Sequence, residues 1–424
     1  MSVRLTRLES GLLVATDRME SVETAALGVW VGVGTRHEPA RNNGVAHLLE
    51  HMLFKGTERR SAQAIAEEIE AVGGHLNAYT GRETTAYHVT VLADDLPLGL
   101  DLVADMMQHS RFDEEEIVRE RGVVLQEIGQ AEDTPDDIIF DLFQEAAYPD
   151  QPMGWPVLGR ADVVARLARE DLLDYIGTRY GSERMIVAAA GKVDHDAVVD
   201  LAGKAFTGFA PQPLPEAVAE PSYRGGEWRE ERDLEQVHII LGFEAAGFRA
   251  PDYYAAAIAS TLLGGGMSSR LFQEVREKRG LCYSVFSFLN AATDSGLFGV
   301  YAGTGEQEAA ELTPVVCDQL AAVAATGPDE AELRRAKAQL KASVLMGRER
   351  SGNRAEHLAN QLLVHGRPIG PEEIVAKIEA VEADAVRGCV ARMLASPPTL
   401  VALGPLGQVE SLDAIRARLG SAGR

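Results

Sequence analysis

Val45-Ala-His-Leu-Leu-Glu-His-Met-Leu-Phe54 sets two histidines four residues apart with a glutamate between them. Its apolar residues recur at the helical period, so the spacing predicts a helix over 45–54. Residues four apart on a helix share a face, and His47 and His51 can therefore hold one metal ion between them. Glu50 is three residues from His47, on the adjoining edge of that face. There it could take a proton from a water activated by the metal without itself being a ligand. The order is H-x-x-E-H, the reverse of the commoner H-E-x-x-H. Two satisfied core or surface histidines would show the same five residues, so the reading needs a third ligand.

A catalytic zinc usually keeps three protein ligands and an open fourth position. The next candidates lie in 113–130, another stretch with the helical period. It offers Glu120 and Glu127, seven residues apart and on one face after two turns. Either could bind the metal while the other stands in its outer shell, and the spacing does not choose between them.

Working outward, strand-like runs flank the motif at 12–16, 26–34 and 87–92, the last an alternating Tyr-His-Val-Thr-Val-Leu. Helical periods recur at 62–71 and 97–108. The clearest break in the chain is Ala210-Pro-Gln-Pro-Leu-Pro-Glu-Ala-Val-Ala-Glu-Pro221, whose four prolines favour an extended linker. It falls at the middle of the 424 residues, which prompts a search for internal duplication. At an offset of 216, Asp113-Glu-Glu-Glu-Ile-Val-Arg-Glu-Arg121 lies over Asp329-Glu-Ala-Glu-Leu-Arg-Arg-Ala-Lys337, and His47–His51 over Leu263-Gly-Gly-Gly-Met267. The strand-like 237–243 answers 26–33. The expectation is an α+β chain of two related domains: 1–210 with the metal motif, a linker over 211–221, and 222–424 without it. At that offset Glu120 and Glu127 become Ala336 and Ser343, so one zinc per chain is expected.

Composition narrows the function. Hydrophobic residues make up 46% and charged residues 25%, ample for buried cores and against a disordered or fibrous chain. The formal net charge of −23 argues against nucleic acid or an anionic membrane as partner and would favour cationic ligands or metal ions. Cys282, Cys317 and Cys389 are too few and scattered for a disulfide framework and read as buried free thiols. No secretory signal or membrane-spanning run is visible, so a cytoplasmic protein is expected.

With His47, Glu50, His51 and then Glu127 76 residues on, the chain resembles the pitrilysin-type zinc metallopeptidases, the inverzincins. It is most similar to the mitochondrial processing peptidase branch and its bacterial relatives. The resemblance implies domains built on a mainly antiparallel sheet with helices packed against it. It implies zinc on His47, His51 and Glu127, Glu50 as general base and Glu120 as supporting acid. It extends to Leu76-Asn-Ala-Tyr-Thr-Gly-Arg-Glu83, similar to the segment whose edge strand pairs with substrate backbone, here Asn77, Ala78, Tyr79 and Thr80.

In the second half, Arg276 and Tyr283 match an arginine and a tyrosine, seven apart, that this family uses to hold substrate and stabilise the transition state. A guanidinium and a phenol are suitable donors to a carbonyl oxygen that becomes anionic. The run Leu263-Gly-Gly-Gly-Met-Ser-Ser has neither G-K-[ST] nor G-x-G-x-x-G and is not read as a phosphate loop.

Between Asp113 and Glu145 stand twelve acidic and two basic residues. Asp137 and Asp141 are four apart, and the resemblance assigns acidic residues at these positions to an arginine near the cleaved bond, which carboxylates accept bidentately. The expectation is a zinc endopeptidase for extended, basic peptides. Family members enclose substrate between two halves, and one such chain supplies one half. A homodimer is therefore expected, with Arg276 and Tyr283 reaching the partner's site; a heterodimer with a metal-free relative is the other arrangement. The alternatives are a non-catalytic assembly subunit of the same fold and a zinc enzyme for a small molecule.

Overall fold

The computed structural model describes residues 2–213 and 218–422. The first half runs β1 (Val3–Arg7), β2 (Leu13–Arg18), β3 (Thr24–Val31), α1 (Val45–Leu53), α2 (Ala62–Ala71), β4 (His75–Thr80), β5 (Thr85–Leu92) and α3 (Leu96–His109). It continues through α4 (Glu114–Glu132), α5 (Pro135–Ala147), α6 (Ala161–Val164), α7 (Arg169–Arg179), β6 (Met185–Gly191) and α8 (His195–Ala205). The second half runs β7 (Gly226–Glu231), β8 (Val237–Glu244), α9 (Tyr253–Gly264), β9 (Cys282–Ala291), β10 (Gly296–Thr304) and α10 (Ala309–Thr326). Then follow α11 (Glu330–Gly347), α12 (Ser351–His365), α13 (Pro371–Glu379), α14 (Ala383–Ala395), β11 (Thr399–Gly404) and α15 (Leu412–Ala422).

The duplication is carried by the sheets. The first is ordered β1-β2-β6-β3-β5-β4, the second β7-β11-β8-β10-β9. Apart from β1, the second repeats the first strand for strand. Each has one parallel pair, β2 with β6 and β7 with β11, among otherwise antiparallel partners. The offset of 216 holds for α4 and α11, which begin at Glu114 and Glu330, and for α5 and α12, which begin at Pro135 and Ser351. It does not hold around the motif. There α1 and α9 begin at Val45 and Tyr253, and 253 − 45 = 208. Leu263 therefore closes its helix, whereas His47 opens one. A drift of eight residues between equivalent elements is taken up in the intervening turns, where insertions cost little.

The two compact units are not contiguous halves of the sequence. One comprises Met1–Gln130, Trp155–Ala219 and Met346–Ile369; the other comprises Ala131–Gly154, Glu220–Leu345 and Gly370–Arg424. In the first, α12 lies on β2, β3 and β6. Its Ala355, Leu358, Ala359 and Leu362 meet Ala15, Trp30, Ala86, Ile186, Ala188 and Ala190. In the second, α5 covers β7, β8 and β11, with Ile139 and Phe143 packed among Ile240, Leu297, Tyr301 and Val401. Single contiguous domains are expected from the proline-rich break. The tertiary packing instead sends one helix of each half to the other half's sheet. Outside 214–217, which lie beyond the described residues, 211–221 has neither helix nor strand.

Covering both faces explains the composition of the central strands. Met185-Ile-Val-Ala-Ala-Ala-Gly191 is buried throughout, a continuous apolar run of the kind that a sheet buried on both sides requires. Small alanines alternate toward α12, while the opposite face meets the large core that includes α1 and α3. Cys282, Cys317 and Cys389 are buried and free. Among the described residues, no helix is long and apolar enough to cross a membrane.

Candidate active site

The motif begins on a constrained turn. Gly44 precedes α1 with φ +97, and a Cβ there would lie 2.8 Å from the Gly159 Cα, so both the left-handed backbone and the space call for glycine. The next control is Glu38, which is 3% exposed. Its carboxylate accepts from the Gly44 and Ala46 N–H groups at 2.9 and 2.8 Å and from Asn43 Nδ2 at 2.9 Å. This side chain supplies acceptors that the first turn of α1 otherwise lacks. Burial pushes its carboxyl up to about 7, against the opposing pull of those three donors.

Apolar residues then fix the rotation of α1. Val45, Leu48, Leu49, Met52 and Leu53 are buried in the first unit's core. His47, Glu50 and His51 are left on the other side of the helix. Both histidines turn Nε2 toward Glu127 of α4, whose Oε2 is 3.8 Å from His47 Nε2 and 3.5 Å from His51 Nε2. One donor atom from each of the three lies within 4.8 Å of the others. Ligands about 2.0–2.1 Å from a tetrahedral zinc are roughly 3.3 Å apart, close to these separations. Two imidazoles and a carboxylate also match the donor chemistry of a catalytic zinc. Burial, with His51 adding to it, pushes His47 down to about 4, so its imidazole is neutral, the form that binds metal.

Glu120 stands elsewhere. Its Oε2 is 3.1 Å from His51 Nδ1, on the far side of the imidazole from Glu127, and its Oε1 is 2.8 Å from Lys55 Nζ. Glu120 thus touches the outer nitrogen of one histidine, while Glu127 faces the inner nitrogens of both.

Glu50 is tied to the sheet. Thr80 donates its hydroxyl hydrogen to Glu50 Oε2 at 2.6 Å. Burial raises the Glu50 carboxyl above its ordinary range, with Thr80 and His51 opposing and Glu127 adding to the rise. Thr80 ends β4, the last strand of the six-stranded sheet. On that strand Ala78 donates its N–H to Asn77 Oδ1 at 2.9 Å. Tyr79 points to the other face, donating to Glu356 Oε1 at 2.9 Å and accepting from Trp30 Nε1 at 3.2 Å.

The remaining expected residues belong to the second unit. Arg276 sits on a π-helical turn, Phe272–Glu277, a rare local form often found at functional positions. Its guanidinium stacks 4.7 Å from the Phe272 ring and 4.7 Å from the Tyr283 ring. Tyr283 is 78% exposed. Asp137 and Asp141 are on α5, Asp137 exposed and Asp141 half-buried.

Three contacts escape a reading of the sequence. Lys55 on Glu120, Thr80 on Glu50 and Phe272 under Arg276 are partnerships rather than motifs. Only Lys55, four residues after His51, and Phe272, four before Arg276, carry a spacing that could have drawn attention.

Residues 13–161 match Insulinase (Peptidase family M16), and residues 166–340 match the Peptidase M16 inactive domain. The chain is 40% identical over 413 residues to an uncharacterized zinc protease of Streptomyces coelicolor, covering 96% of this chain and 90% of that one. An uncharacterized zinc protease of Mycobacterium tuberculosis is 40% identical over 426 residues, covering 99% and 97%. A solved protease from Helicobacter pylori shares the fold, with a TM-score of 0.88 at 24% identity over 95% of this chain and 99% of that one. The chain belongs to peptidase family M16. It is a zinc-dependent metallopeptidase, a hydrolase of peptide bonds.

Proposed function

We propose that this metallopeptidase is an endopeptidase for extended, arginine-containing peptides, with His47, His51 and Glu127 holding one zinc and Glu50 as general base. The observation that carries this is the bond between Thr80, at the end of an edge strand, and Glu50, on the helix that bears both histidines. A substrate segment added as a further strand along β4 would take over N–H groups such as that of Ala78 and run past Glu50. Zinc, when bound, supplies a Lewis acid for the scissile carbonyl and for water. Glu50 takes the proton of the attacking water and passes it to the leaving amine. Glu120 supports His51 from its outer nitrogen.

Arg276 and Tyr283 are donors for the carbonyl oxygen as it becomes anionic. We assign them to a partner chain's site in a homodimer, because the family resemblance places such a pair opposite the zinc of another half. Asp137 and Asp141 are assigned to a substrate arginine, which two carboxylates one helical turn apart accept well.

The test is cleavage of quenched peptides with and without an arginine, with metal analysis of the same protein and of Glu50→Gln. The reading requires chelator-sensitive internal cleavage, an arginine preference, about one zinc per chain, and a Glu50→Gln form that keeps zinc but is inactive. Zinc-loaded wild-type protein that cleaves no peptide internally would reject it.

A further inference from the structure

We infer that Lys55 is a positioning residue for the zinc site, holding the Glu120 carboxylate where it orients His51. The inference rests on His47, His51 and Glu127 being the ligands. Lys55 lies just beyond α1, and its backbone N–H still donates to the Met52 carbonyl at 3.1 Å. Its Nζ is 2.8 Å from Glu120 Oε1, while the other oxygen of the same carboxylate is 3.1 Å from His51 Nδ1. The chain of contacts is Lys55 to Glu120 to His51, and it ends on a ligand.

Burial gives the chain its force. The Glu120 side chain is only 6% exposed and that of Lys55 31%. A carboxylate drawn out of water needs a partner at each oxygen, or the unpaired oxygen carries a desolvation penalty. With the ammonium on Oε1 and the imidazole on Oε2, neither oxygen is left over and the carboxylate plane has one favoured setting. That setting presents an acceptor to His51 Nδ1, which keeps its hydrogen there and leaves the Nε2 lone pair facing Glu127. Without Lys55 the Oε1 atom must find another partner, and the carboxylate turns away from the imidazole. A lysine that merely pins the end of α1 to α4 would contribute to folding but would not act through Glu120, so the two roles are separable.

The experiment is a double-mutant cycle read as zinc affinity, by competition with a chromophoric chelator on the full chain. Wild type, Lys55→Met, Lys55→Arg, Glu120→Gln and Lys55→Met/Glu120→Gln are compared, with thermal unfolding of each metal-free form. Lys55→Met should bind zinc about 10–100-fold more weakly, the usual scale for losing an outer-shell partner. Lys55→Arg should recover most of the affinity, and the double variant should bind no more weakly than Glu120→Gln alone. If Lys55→Met does not fold, Lys55→Gln takes its place in the cycle. Wild-type affinity in the uncharged variant, or losses that add in the double variant, would overturn the inference. A wild-type chain that takes up no zinc, or a Glu127→Gln form that binds it as tightly, would overturn the ligand assignment and the inference with it.

Discussion

Thr80, the last residue of the edge strand β4, donates a hydrogen bond of 2.6 Å to Glu50 on α1. The two residues are thirty apart in the chain, and their contact joins the sheet edge to the helix of the two histidines. In the proposed role of Glu50 as general base, this bond holds one oxygen of the carboxylate that receives and delivers the proton.

Thr80→Val removes that hold with little change of volume. Losing a hydrogen bond to a charged group costs about 1.5–3 kcal/mol, so kcat should fall roughly 10- to 100-fold. Thr80→Ser should retain most of the activity, and both forms should keep their zinc. Steady-state kinetics with metal analysis checks this; an undiminished kcat in Thr80→Val would remove Thr80 from the positioning of Glu50.

Glu38 makes the stability of the metal-free chain depend on pH. Its folded value of about 7 lies above the ordinary 4.5, so the folded chain binds this proton more tightly than the unfolded chain does. The resulting stabilisation is complete below pH 4.5 and is lost as pH rises through about 7. The difference amounts to about 3 kcal/mol. Denaturant unfolding of wild type and Glu38→Gln between pH 5 and 8 should show the steeper decline in wild type. Parallel curves would mean that Glu38 does not titrate in this range.

The assignment of Arg276 across a homodimer predicts complementation. A Glu50→Gln chain and an Arg276→Ala chain should each be nearly inactive alone. Mixed dimers then contain one site with an intact zinc unit and an intact donor pair, and part of the activity should return. Proven mixed dimers that stay inactive would place Arg276 in the same chain's site or outside catalysis.

Much of the site is legible in the sequence because its key relations are local. Two histidines four apart meet on any helix, and the buried Val45, Leu48, Leu49, Met52 and Leu53 set which side of α1 they occupy. The duplicated order of elements is likewise visible in the repeated α4-like and α11-like segments. The offset between α1 and α9 is not, because turns absorb insertions without leaving a periodic trace.

What the sequence by itself determined is a helix with two histidines four apart and a glutamate between them, a second helix with two acidic candidates, and a chain built twice from one plan. Each of these follows from helical period or from self-similarity. Only the tertiary structure decided that Glu127 faces both Nε2 atoms while Glu120 turns to His51 Nδ1 and Lys55. It also decided that Thr80 holds Glu50, and that α5 and α12 each pack on the sheet of the other half. Residues seven apart on a helix share a face, so period alone cannot rank them. That choice depends on where one helix lies against another, which is set by the packing of side chains from distant parts of the chain.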